Sequence, residues 1–322
     1  MFNDLCTSWL KQQENFAHEL HSLYFALCII NGFLSVGAVI GNIIVIIAVR
    51  RSSSLKSPSF LLLTNLALSD FGVGLLVQPM YIVYKASEMS SWRDIHCSIS
   101  AAYFYFAILF AFVSFGTICF ISIDRFLAVH LGIRYRSIIR LTRVTGAVIG
   151  LWIFSMILGS VYLLSEIAYI FVELIIITVS LILTTFMYFK IMRRLFHRRA
   201  VMQIHAQQDV EQSHKERIDS ARYKRSVYSM LFVYIAFVLC YTPFVCFHIT
   251  LLAVERNTAV NVASNVTLTI VFMNSSLNPV LYYWRIPEVR RAVKNLVGQQ
   301  SSDMTSTDLG LSSFSNERQH RK

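Results

Sequence analysis

Charged residues are scarce in this chain of 322 residues. Asp, Glu, Lys and Arg make up 15% of it, whereas hydrophobic residues make up 55%. Soluble globular domains carry about 25% charged residues, so the composition excludes an ordinary soluble protein. Cysteine is also rare, and six residues are too few for a disulfide-stapled fold. The net charge of +11 is spread between apolar segments, which disfavours a basic domain that binds nucleic acid.

Long apolar segments fill most of the chain. Hydrocarbon about 30 Å thick requires roughly 20 apolar helical residues to cross it. Seven stretches are long enough, at 23–49, 59–84, 99–129, 144–164, 167–192, 226–253 and 260–284. We therefore predict an all-α membrane protein, a bundle of seven transmembrane helices within residues 23–296. Residues 1–22 show no apolar core of a cleaved signal peptide and are expected to form an extracellular N-terminus.

Lysine and arginine are distributed unevenly between the apolar segments. With the N-terminus outside, only four of the 29 fall on the outer side: Lys11, Lys85, Arg93 and Arg256. Because positively charged loops stay inside, we predict the N-terminus outside and the C-terminus inside. Residues 284–296 are basic and amphipathic, which predicts a short helix on the inner membrane surface. The stretch 297–322, rich in Ser and Thr, is predicted to be a disordered cytoplasmic tail.

The cysteines divide by predicted location. Only Cys6 and Cys97 are expected on the oxidising outer side, and the other four lie within apolar segments. A disulfide between Cys6 and Cys97 and a pair of free thiols are both compatible with the spacing.

Polar residues inside the apolar segments are the informative ones, since a polar group in hydrocarbon costs several kcal/mol unless it is paired. Seven short motifs, one in each segment, place them. The motifs are GNIIV at 41–45, LALSD at 66–70, IDRF at 123–126, Trp152, Tyr188-x-x-Ile191, CYTP at 240–243 and NPVLY at 278–282.

In this order the motifs resemble the rhodopsin-like (class A) G-protein-coupled receptors, over residues 24–296. One motif alone arises by chance, whereas seven in register do not. The resemblance implies a receptor and not an enzyme, with an extracellular ligand bound in the outer half of the bundle. It also implies a heterotrimeric G protein activated by outward movement of the sixth helix, a location in the plasma membrane, and docking of arrestin and a receptor kinase on the Ser/Thr-rich tail.

The resemblance also assigns a coupling switch and a transmission cluster. The switch comprises Asp124, Arg125, Phe126, Tyr188, Asn278, Pro279 and Tyr282; the alternative for Arg125 is an arginine that reaches the lipid headgroups. The transmission cluster comprises Phe115, Phe237, Tyr241 and Pro243. Many family members carry an acid at the inner end of helix six where Tyr223 stands here, so we predict appreciable basal activity.

Asp70, Ser114, Asn274 and Asn278 resemble the family's buried sodium pocket. One carboxylate with neutral oxygens suits a small hard cation, and the resemblance implies a sodium ion as allosteric modulator. The alternative is a protonated Asp70 within a hydrogen-bonded network.

The ligand is constrained mainly by residues that are missing. Ala107 stands where aminergic receptors carry an acid, and no lysine between Lys224 and Lys294 can form a retinal Schiff base. Three features resemble the melanocortin, adenosine, cannabinoid and lysophospholipid receptors. They are a minimal outer loop between the fourth and fifth segments, no cysteine between Cys119 and Cys240, and Ser180 in place of a helix-five proline. A small molecule, a lipid and a peptide remain open. The candidate ligand residues are Gln78, Tyr103, Ala107, Glu173, Phe244, Phe247 and His248.

Glu173 has two interpretations. As a carboxylate in the outer half of the bundle it can orient a small, partly apolar ligand together with His248, since intramembrane acids are usually functional. Alternatively it lies at the lipid edge. Three rival classes also remain: a transporter, disfavoured because no internal repeat is visible; a seven-helix enzyme, disfavoured because no metal-ligand spacing or Ser/His/Asp set is present; and a chemosensory receptor of the same fold.

Overall fold

The chain folds into a bundle of long helices. The structure, a computed structural model, describes residues 16–52, 55–90, 92–164, 166–205, 210–251, 253–255, 257–296 and 298. Within these ranges no strand occurs. The seven long helices are α1 His21–Arg51, α2 Pro58–Met89, α3 Arg93–Leu131, α4 Leu141–Leu164, α5 Glu166–His205, α6 Val210–Leu251 and α7 Thr258–Arg285, followed by the short α8 at 287–296.

Six of the helices, α1 to α6, are long and apolar enough to cross a membrane within the described ranges. The seventh, α7, has 28 residues and spans about 42 Å at 1.5 Å per residue, so its length suffices. Its apolarity is low because it carries a row of buried polar side chains, among them Asn261, Asn265, Thr269, Asn274, Ser275 and Asn278. These face other helices and not lipid, and the predicted seven-helix bundle is confirmed.

Helix α3 lies at the centre of the bundle. It packs against α2, α4, α5 and α6, while α1 packs against α2 and α7, and α7 packs against α6. The outward faces carry exposed apolar side chains, for example Phe33, Ile157 and Ile182. Such faces are typical of contact with lipid, because hydrocarbon, unlike water, does not disfavour exposed apolar side chains.

Two glycines permit geometry that a side chain would prevent. A Cβ on Gly41 would lie 2.8 Å from Cγ of Pro279, so glycine allows α1 to approach α7 closely. Gly132 has φ of 54°, a left-handed conformation that glycine adopts without steric cost. It ends α3 and turns the chain into the one-turn helix Tyr135–Ile138, which returns beneath α3.

Helix α2 contains a feature that the sequence analysis did not predict. A π-helical segment, Val73–Val77, interrupts it three residues after Asp70. Pro79 follows within the next helical turn, and proline has no N–H to donate to the preceding turn. Short π segments are frequent at functional sites, and this one sets the rotation of the outer half of α2.

The inner end of the bundle corrects the prediction for 284–296. Helix α7 continues to Arg285, and α8 begins only after Ile286, so Trp284 belongs to α7. The amphipathic pattern of this segment implies that its apolar residues face lipid, but Val289 and Leu296 are buried, and Val289 belongs to a hydrophobic cluster with Tyr282 and Ile286. The apolar face of α8 therefore packs at least partly against the bundle. The predicted N-terminus up to residue 15 and the tail beyond 298 lie outside the described residues.

Candidate functional site

At the inner end, Asp124 and Arg125 form the centre of a compact polar network. Arg125 donates from Nε and Nη2 to Oδ2 of Asp124, at 3.0 and 2.5 Å. Ser59 of α2 donates to the same oxygen at 2.8 Å and accepts from Arg125 Nη2. Tyr135 donates to Oδ1 of Asp124. We call these four residues the inner clamp.

The inner clamp adds two residues that sequence reasoning missed. Ser59 lies one residue into α2 from its first residue Pro58, and Tyr135 lies ten residues beyond Arg125, so neither belongs to the IDRF motif. Both Asp124 and Arg125 are buried. Their burial in a shared hydrogen-bond network disfavours the alternative in which Arg125 reaches the lipid headgroups.

The other switch residues lie on α3, α5 and α7. Tyr188 of α5 is buried and stacks on Tyr234 of α6, with ring centroids 5.0 Å apart. Tyr282 is fully buried, and its hydroxyl has no hydrogen-bond partner among the described residues. Phe126 stacks on His130 at 4.0 Å, and Pro279 packs against Gly41.

The transmission cluster contains a group of three contacting aromatic rings on the outer side of the inner clamp. Phe115 of α3 lies 4.9 Å from Phe237 and 5.9 Å from Tyr241, both on α6, and the two α6 rings lie 4.2 Å apart. All three are buried. Pro243 lies inside α6 two residues beyond Tyr241, where a missing N–H weakens the helix.

Asp70 lies between α2 and α7 at the middle of the bundle and is fully buried. Ser275 donates to Oδ1 at 2.8 Å and Asn278 donates to Oδ2 at 2.7 Å. Ser275 was missed as a partner, although it directly follows Asn274 in the sequence. Ser114 is not among the hydrogen-bond donors to Asp70 in the described part of the chain, and its hydroxyl shares a hydrogen bond of 2.8 Å with Ser69.

Three amide oxygens near Asp70 provide a test of whether a cation fits there. The side-chain Oδ1 atoms of Asn42, Asn274 and Asn278 are buried and have no hydrogen-bond donor among the described residues. Asn42 is tied to this region because its amide nitrogen donates to the backbone carbonyl of Ser275 at 3.0 Å. One carboxylate and several neutral oxygens are the ligand types that a hard cation prefers. The residues present therefore fit a bound sodium ion.

A second buried network links α2, α3 and α4. Trp152 donates to Oδ1 of Asn65 at 2.9 Å, and Asn65 donates to Thr117 at 2.7 Å. The motif tryptophan of α4 is therefore bonded to a polar residue of α2. This network fixes the three helices relative to one another below the outer half.

The candidate ligand residues fall into two groups in the outer half. Glu173 of α5 and His248 of α6 approach to 3.9 Å, and Phe244 and Phe247 lie 4.2 and 5.3 Å from the His248 ring. Both Glu173 and His248 are largely buried within the protein, which disfavours the lipid-edge interpretation of Glu173.

The other group lies towards α2 and α3. The Tyr103 ring stacks on Tyr84 with centroids 5.4 Å apart, and its centroid lies 4.8 Å from that of Phe104. Ala107 packs against the hydrophobic cluster that contains Tyr84 and Tyr103. Gln78 is fully buried on α2. The predicted ligand residues therefore line two separate sides of the outer bundle.

A buried ion pair at the outer end of α2 was not predicted. Lys85, one of the four basic residues expected on the outer side, donates to Oε2 of Glu88 at 2.7 Å, and both side chains are almost fully buried. The ammonium lies 4.6 Å from the Tyr24 ring centroid and 4.8 Å from that of Tyr84. Ser87 joins this end of α2 to α3 through a hydrogen bond of 3.0 Å with His96.

Next to His96, Cys97 is disulfide-bonded. The cysteines Cys28, Cys119, Cys240 and Cys246 are free. The alternative in which Cys97 is a free thiol is therefore wrong, and Cys6, its partner in the other alternative, lies outside the described residues.

The fold and the polar network define a class of protein. Seven helices cross the membrane, candidate ligand residues lie at the outer end, and an Asp–Arg pair closes the inner end. Buried polar and aromatic groups also occupy the middle of the bundle between the two ends. This arrangement is that of a membrane receptor.

Comparison with known proteins identifies the family. The family described as "7 transmembrane receptor (rhodopsin family)" matches residues 41–167 and 162–282. Trace amine-associated receptor 7e of Rattus norvegicus is 25% identical over 297 residues, covering 83% of this chain and 80% of the relative. Trace amine-associated receptor 7d of the same organism is 26% identical over 299 residues, with the same coverage.

Among solved structures, squid rhodopsin superposes with a TM-score of 0.76 and 18% identity, covering 86% of each chain. The chain belongs to the rhodopsin family of seven-transmembrane receptors. It is therefore a multi-pass membrane receptor of the G-protein-coupled class, with a ligand and a G protein as partners, and it is not an enzyme. The expected nearness to the melanocortin, adenosine, cannabinoid and lysophospholipid receptors stays a prediction.

Proposed function

We propose that this receptor acts at the plasma membrane and signals by rearranging the inner clamp. In the resting state Asp124 holds Arg125 against α2 and α3. In the active state Arg125 leaves Asp124, turns towards Tyr188 and Tyr282, and contacts the C-terminal helix of the G protein. The observation that carries this proposal is that the Asp124–Arg125 contact is closed while the buried Tyr282 hydroxyl has no partner among the described residues.

An unpaired buried hydroxyl costs about 1–3 kcal/mol. A second arrangement in which Tyr282 gains a partner recovers that free energy, so two arrangements of the inner end can lie close in free energy. A ligand that binds one of them better then shifts the population. The ring stack of Phe115, Phe237 and Tyr241 is the proposed connection, because its repacking moves α6 about the weak point at Pro243.

The experiment uses purified receptor in lipid nanodiscs with a panel of purified heterotrimeric G proteins. Nucleotide exchange is measured without ligand for the native chain and for Arg125→Ala. Because Tyr223 replaces the acid of many relatives, we expect basal exchange above the receptor-free rate on at least one G protein. Arg125→Ala should reduce that exchange at least tenfold, and exchange that is equal in both proteins would overturn the role of Arg125.

Sodium is proposed as an allosteric modulator at Asp70. When bound, the ion would supply a positive charge to offset the buried carboxylate. Asp70 would provide the charge and Asn274 and Asn278 the neutral oxygens, with Ser114 and Ser69 beside them. The alternative, a protonated Asp70, offers a single O–H donor, so at least two of the amide oxygens of Asn42, Asn274 and Asn278 would stay without a donor among the described residues.

For the ligand, we propose that Glu173 and His248 orient a small, partly apolar molecule between α5 and α6. His248 Nδ1 lies 3.1 Å from the carbonyl oxygen of Phe244, which only accepts, so Nδ1 carries a proton. In a neutral imidazole Nε2 is then an acceptor, and it faces the Glu173 carboxylate at 3.9 Å. Two facing acceptors favour a ligand group with at least two donor hydrogens.

A protonated amine is the second candidate ligand. The relatives named above are trace amine-associated receptors, and this chain has Ala107 where aminergic receptors carry an acid. An ammonium group can donate to Glu173 and to His248 at once, which compensates for the missing acid on α3. This candidate also revises the expectation from Ala107 alone, which disfavoured amines.

The two candidates are separated by paired probes. Phenethylamine and phenylacetamide both carry a phenyl ring and at least two N–H donors, but only the amine is cationic. If an amine is the ligand class, phenethylamine should stimulate nucleotide exchange at far lower concentration than the amide, and Glu173→Gln should reduce its potency by about tenfold or more. Equal potency in native and Glu173→Gln receptors, for any agonist found, would exclude the Glu173 site.

The Ser/Thr-rich tail is proposed to recruit a receptor kinase and arrestin after activation. Phosphate groups add negative charge and strong hydrogen-bond acceptors, and residues 301–315 contain several Ser and Thr. This segment lies outside the described residues, so the proposal rests on composition alone.

A further inference from the structure

One arginine lies where α6 and α7 meet at their inner ends. Arg285 is the last residue of α7, and its backbone carbonyl accepts a hydrogen bond of 2.7 Å from the Ser229 hydroxyl of α6. Its guanidinium carbon lies 3.5 Å from the ring centroid of Phe232 on α6 and 5.4 Å from that of Trp284. Cation–π attraction to these two rings holds the guanidinium between the two helices.

The edge of this guanidinium is unused in the part of the chain that the structure describes. Arginine carries five N–H donors in a planar fork, and stacking on a ring occupies the face of the fork and not its edge. Among the described residues, the Arg285 side chain forms neither an ion pair nor a hydrogen bond. Because the side chain is only half-buried, its donors are accessible to a molecule outside the bundle.

The two rings that hold Arg285 face away from the bundle. Phe232 is 40% exposed and Trp284 is 65% exposed. In a membrane receptor such apolar surface lies against lipid, and with the C-terminus inside, this end of α7 belongs to the inner leaflet. Tryptophan favours the level of the lipid headgroups. Arg285 therefore lies where phospholipid phosphates are found.

Two rows of exposed apolar side chains lead outward from Arg285. The row on α6 comprises Phe232, Ile235 and Leu239, and the row on α7 comprises Trp284, Val280 and Leu277. Spacings of three and four residues place each row on one face of its helix. Because α6 and α7 are antiparallel and packed together, the rows lie side by side for about 10 Å. We call this apolar surface, with Arg285 at its inner end, the inner groove.

The charge next to the inner groove favours an anion. From Arg285 to Leu296 the chain contains four basic residues and a single acid, Glu288, which gives a net charge of +3. Two of the basic residues, Arg291 and Lys294 on α8, are exposed. A zwitterionic headgroup would bring its own cation towards these positive charges, whereas an anionic headgroup would not. Basic surfaces on the inner side of membrane proteins attract anionic lipids for this reason.

We propose that the inner groove binds one phospholipid whose headgroup has a net negative charge. The phosphate accepts from the guanidinium edge of Arg285, whose fork matches two phosphate oxygens, and an acyl chain lies along the two apolar rows. This inference goes beyond the function proposed above, because lipid binding at the inner groove depends on neither the ligand nor the G protein.

The test is native mass spectrometry of the purified full-length receptor in a neutral detergent. Dioleoylphosphatidylserine and dioleoylphosphatidylcholine are titrated separately, and the fraction of receptor that carries one lipid gives a dissociation constant for each. The native receptor should bind phosphatidylserine about fivefold more tightly than phosphatidylcholine or better. Arg285→Gln should weaken phosphatidylserine binding by about fivefold or more and remove most of the preference.

Two further variants and one soluble probe make the result specific. Arg140→Gln is the matched control and should bind like the native receptor, because Arg140 is an exposed arginine in the connection before α4. Arg285→Lys keeps the charge but loses the planar fork, so its affinity should lie between those of the native receptor and Arg285→Gln. It also provides the comparison if the glutamine variant does not accumulate. Glycerophosphoserine, which is the headgroup without acyl chains, should not displace the lipid even in large excess.

Three outcomes would overturn the proposal. The first is phosphatidylserine binding that is the same in Arg285→Gln and in the native receptor, which would place the lipid elsewhere. The second is equal affinity of the native receptor for both lipids, which would leave an ordinary lipid-facing surface. The third is displacement by glycerophosphoserine, which would make the occupant a soluble phosphate compound and not a lipid.

Discussion

Asp124 illustrates how a single residue at the inner end depends on partners that no motif contains. Its carboxylate accepts from Arg125, Ser59 and Tyr135. Arg125 alone would leave one carboxylate oxygen without a donor. Ser59 and Tyr135 therefore decide how firmly the resting state is held.

Ser59→Ala and Tyr135→Phe are each expected to raise basal signalling. Each removes one hydrogen bond to an ionised carboxylate, worth about 1.5–3 kcal/mol, from the resting state only. The active fraction should then rise by roughly tenfold or more. Agonist-free nucleotide exchange measures this, with Ser160→Ala as a matched control because Ser160 is exposed and donates only to its own helix. Basal exchange that stays at the native level in both variants would exclude the inner clamp as a restraint.

The inner clamp should not loosen across cellular pH. Burial, and then the hydrogen bond to Asp124, raises the pKa of the Tyr135 hydroxyl to about 12. With a raised pKa the phenol stays protonated, and so remains a donor, until the pH approaches that value. Basal exchange of the native receptor should accordingly show no step that depends on Tyr135 between roughly pH 6 and 9.

Asp70→Asn is expected to remove the effect of sodium. The amide lacks the negative charge that attracts a cation, although it keeps a similar shape. Basal exchange is compared in sodium chloride and in choline chloride at equal ionic strength. Sodium should lower it in the native receptor and have no effect in Asp70→Asn, while Ser275→Ala should retain part of the effect. A native receptor indifferent to sodium would leave the protonated-Asp70 alternative.

At this scale the sequence predicted the motif residues but not their helpers. Asp70, Asp124 and Arg125 stand out because a charge inside an apolar segment is unusual. Ser59, Ser275 and Tyr135 do not, since serine and tyrosine occur at many positions in membrane helices. Only the packing of α2, α3 and α7 selects these three.

Among the elements, α2 combines the most unusual features. A π-helical segment rotates its outer half, and the buried Lys85–Glu88 pair closes its outer end. A buried ion pair is weak evidence for stability, because desolvation of both charges offsets their attraction. Removing both charges and removing only one of them should therefore change the free energy of unfolding by very different amounts.

Lys85→Met alone should destabilise the receptor by about 3–5 kcal/mol, because Glu88 is left charged and buried. The double variant Lys85→Met with Glu88→Leu should be near neutral or more stable than the native receptor. Thermal unfolding of the purified protein measures both. Lys190→Met on α5 is the matched control, since Lys190 is exposed and a surface change is usually within about 0.5 kcal/mol. A double variant as unstable as the single one would contradict this account.

The helices themselves were predictable wherever an apolar stretch is long enough to cross the membrane. Positions of α1 to α6 follow from hydropathy. Beyond their apolar parts, α5 continues to His205 and α6 begins at Val210, and residues 206–209 lie outside the described ranges. Three features were not predictable. The π segment of α2 and the late start of α8 depend on local hydrogen bonding around Pro79 and Ile286, and the inward polar row of α7 shows only in the packed bundle.

For the whole molecule, lipid explains the architecture. Exposed apolar faces on α1, α4 and α5 are stable only in hydrocarbon, and every polar group must find a partner inside the bundle. Buried polar groups occur at three levels of the bundle: Lys85 and Gln78 at the outer end, Asp70 in the middle, and Asp124 and Tyr282 at the inner end.

The central claim is that release of the Asp124–Arg125 contact accompanies outward movement of the inner end of α6. The most direct test is the distance between spin labels on the inner ends of α3 and α6, measured by electron resonance with and without a nucleotide-free G protein. The labels are introduced as unnatural amino acids, because Cys28, Cys119, Cys240 and Cys246 are free thiols. The account predicts that the distance grows by roughly 5 Å or more and that Ser59→Ala populates the longer distance without G protein. A single unchanged distance in all three samples, despite a bound G protein, would contradict it.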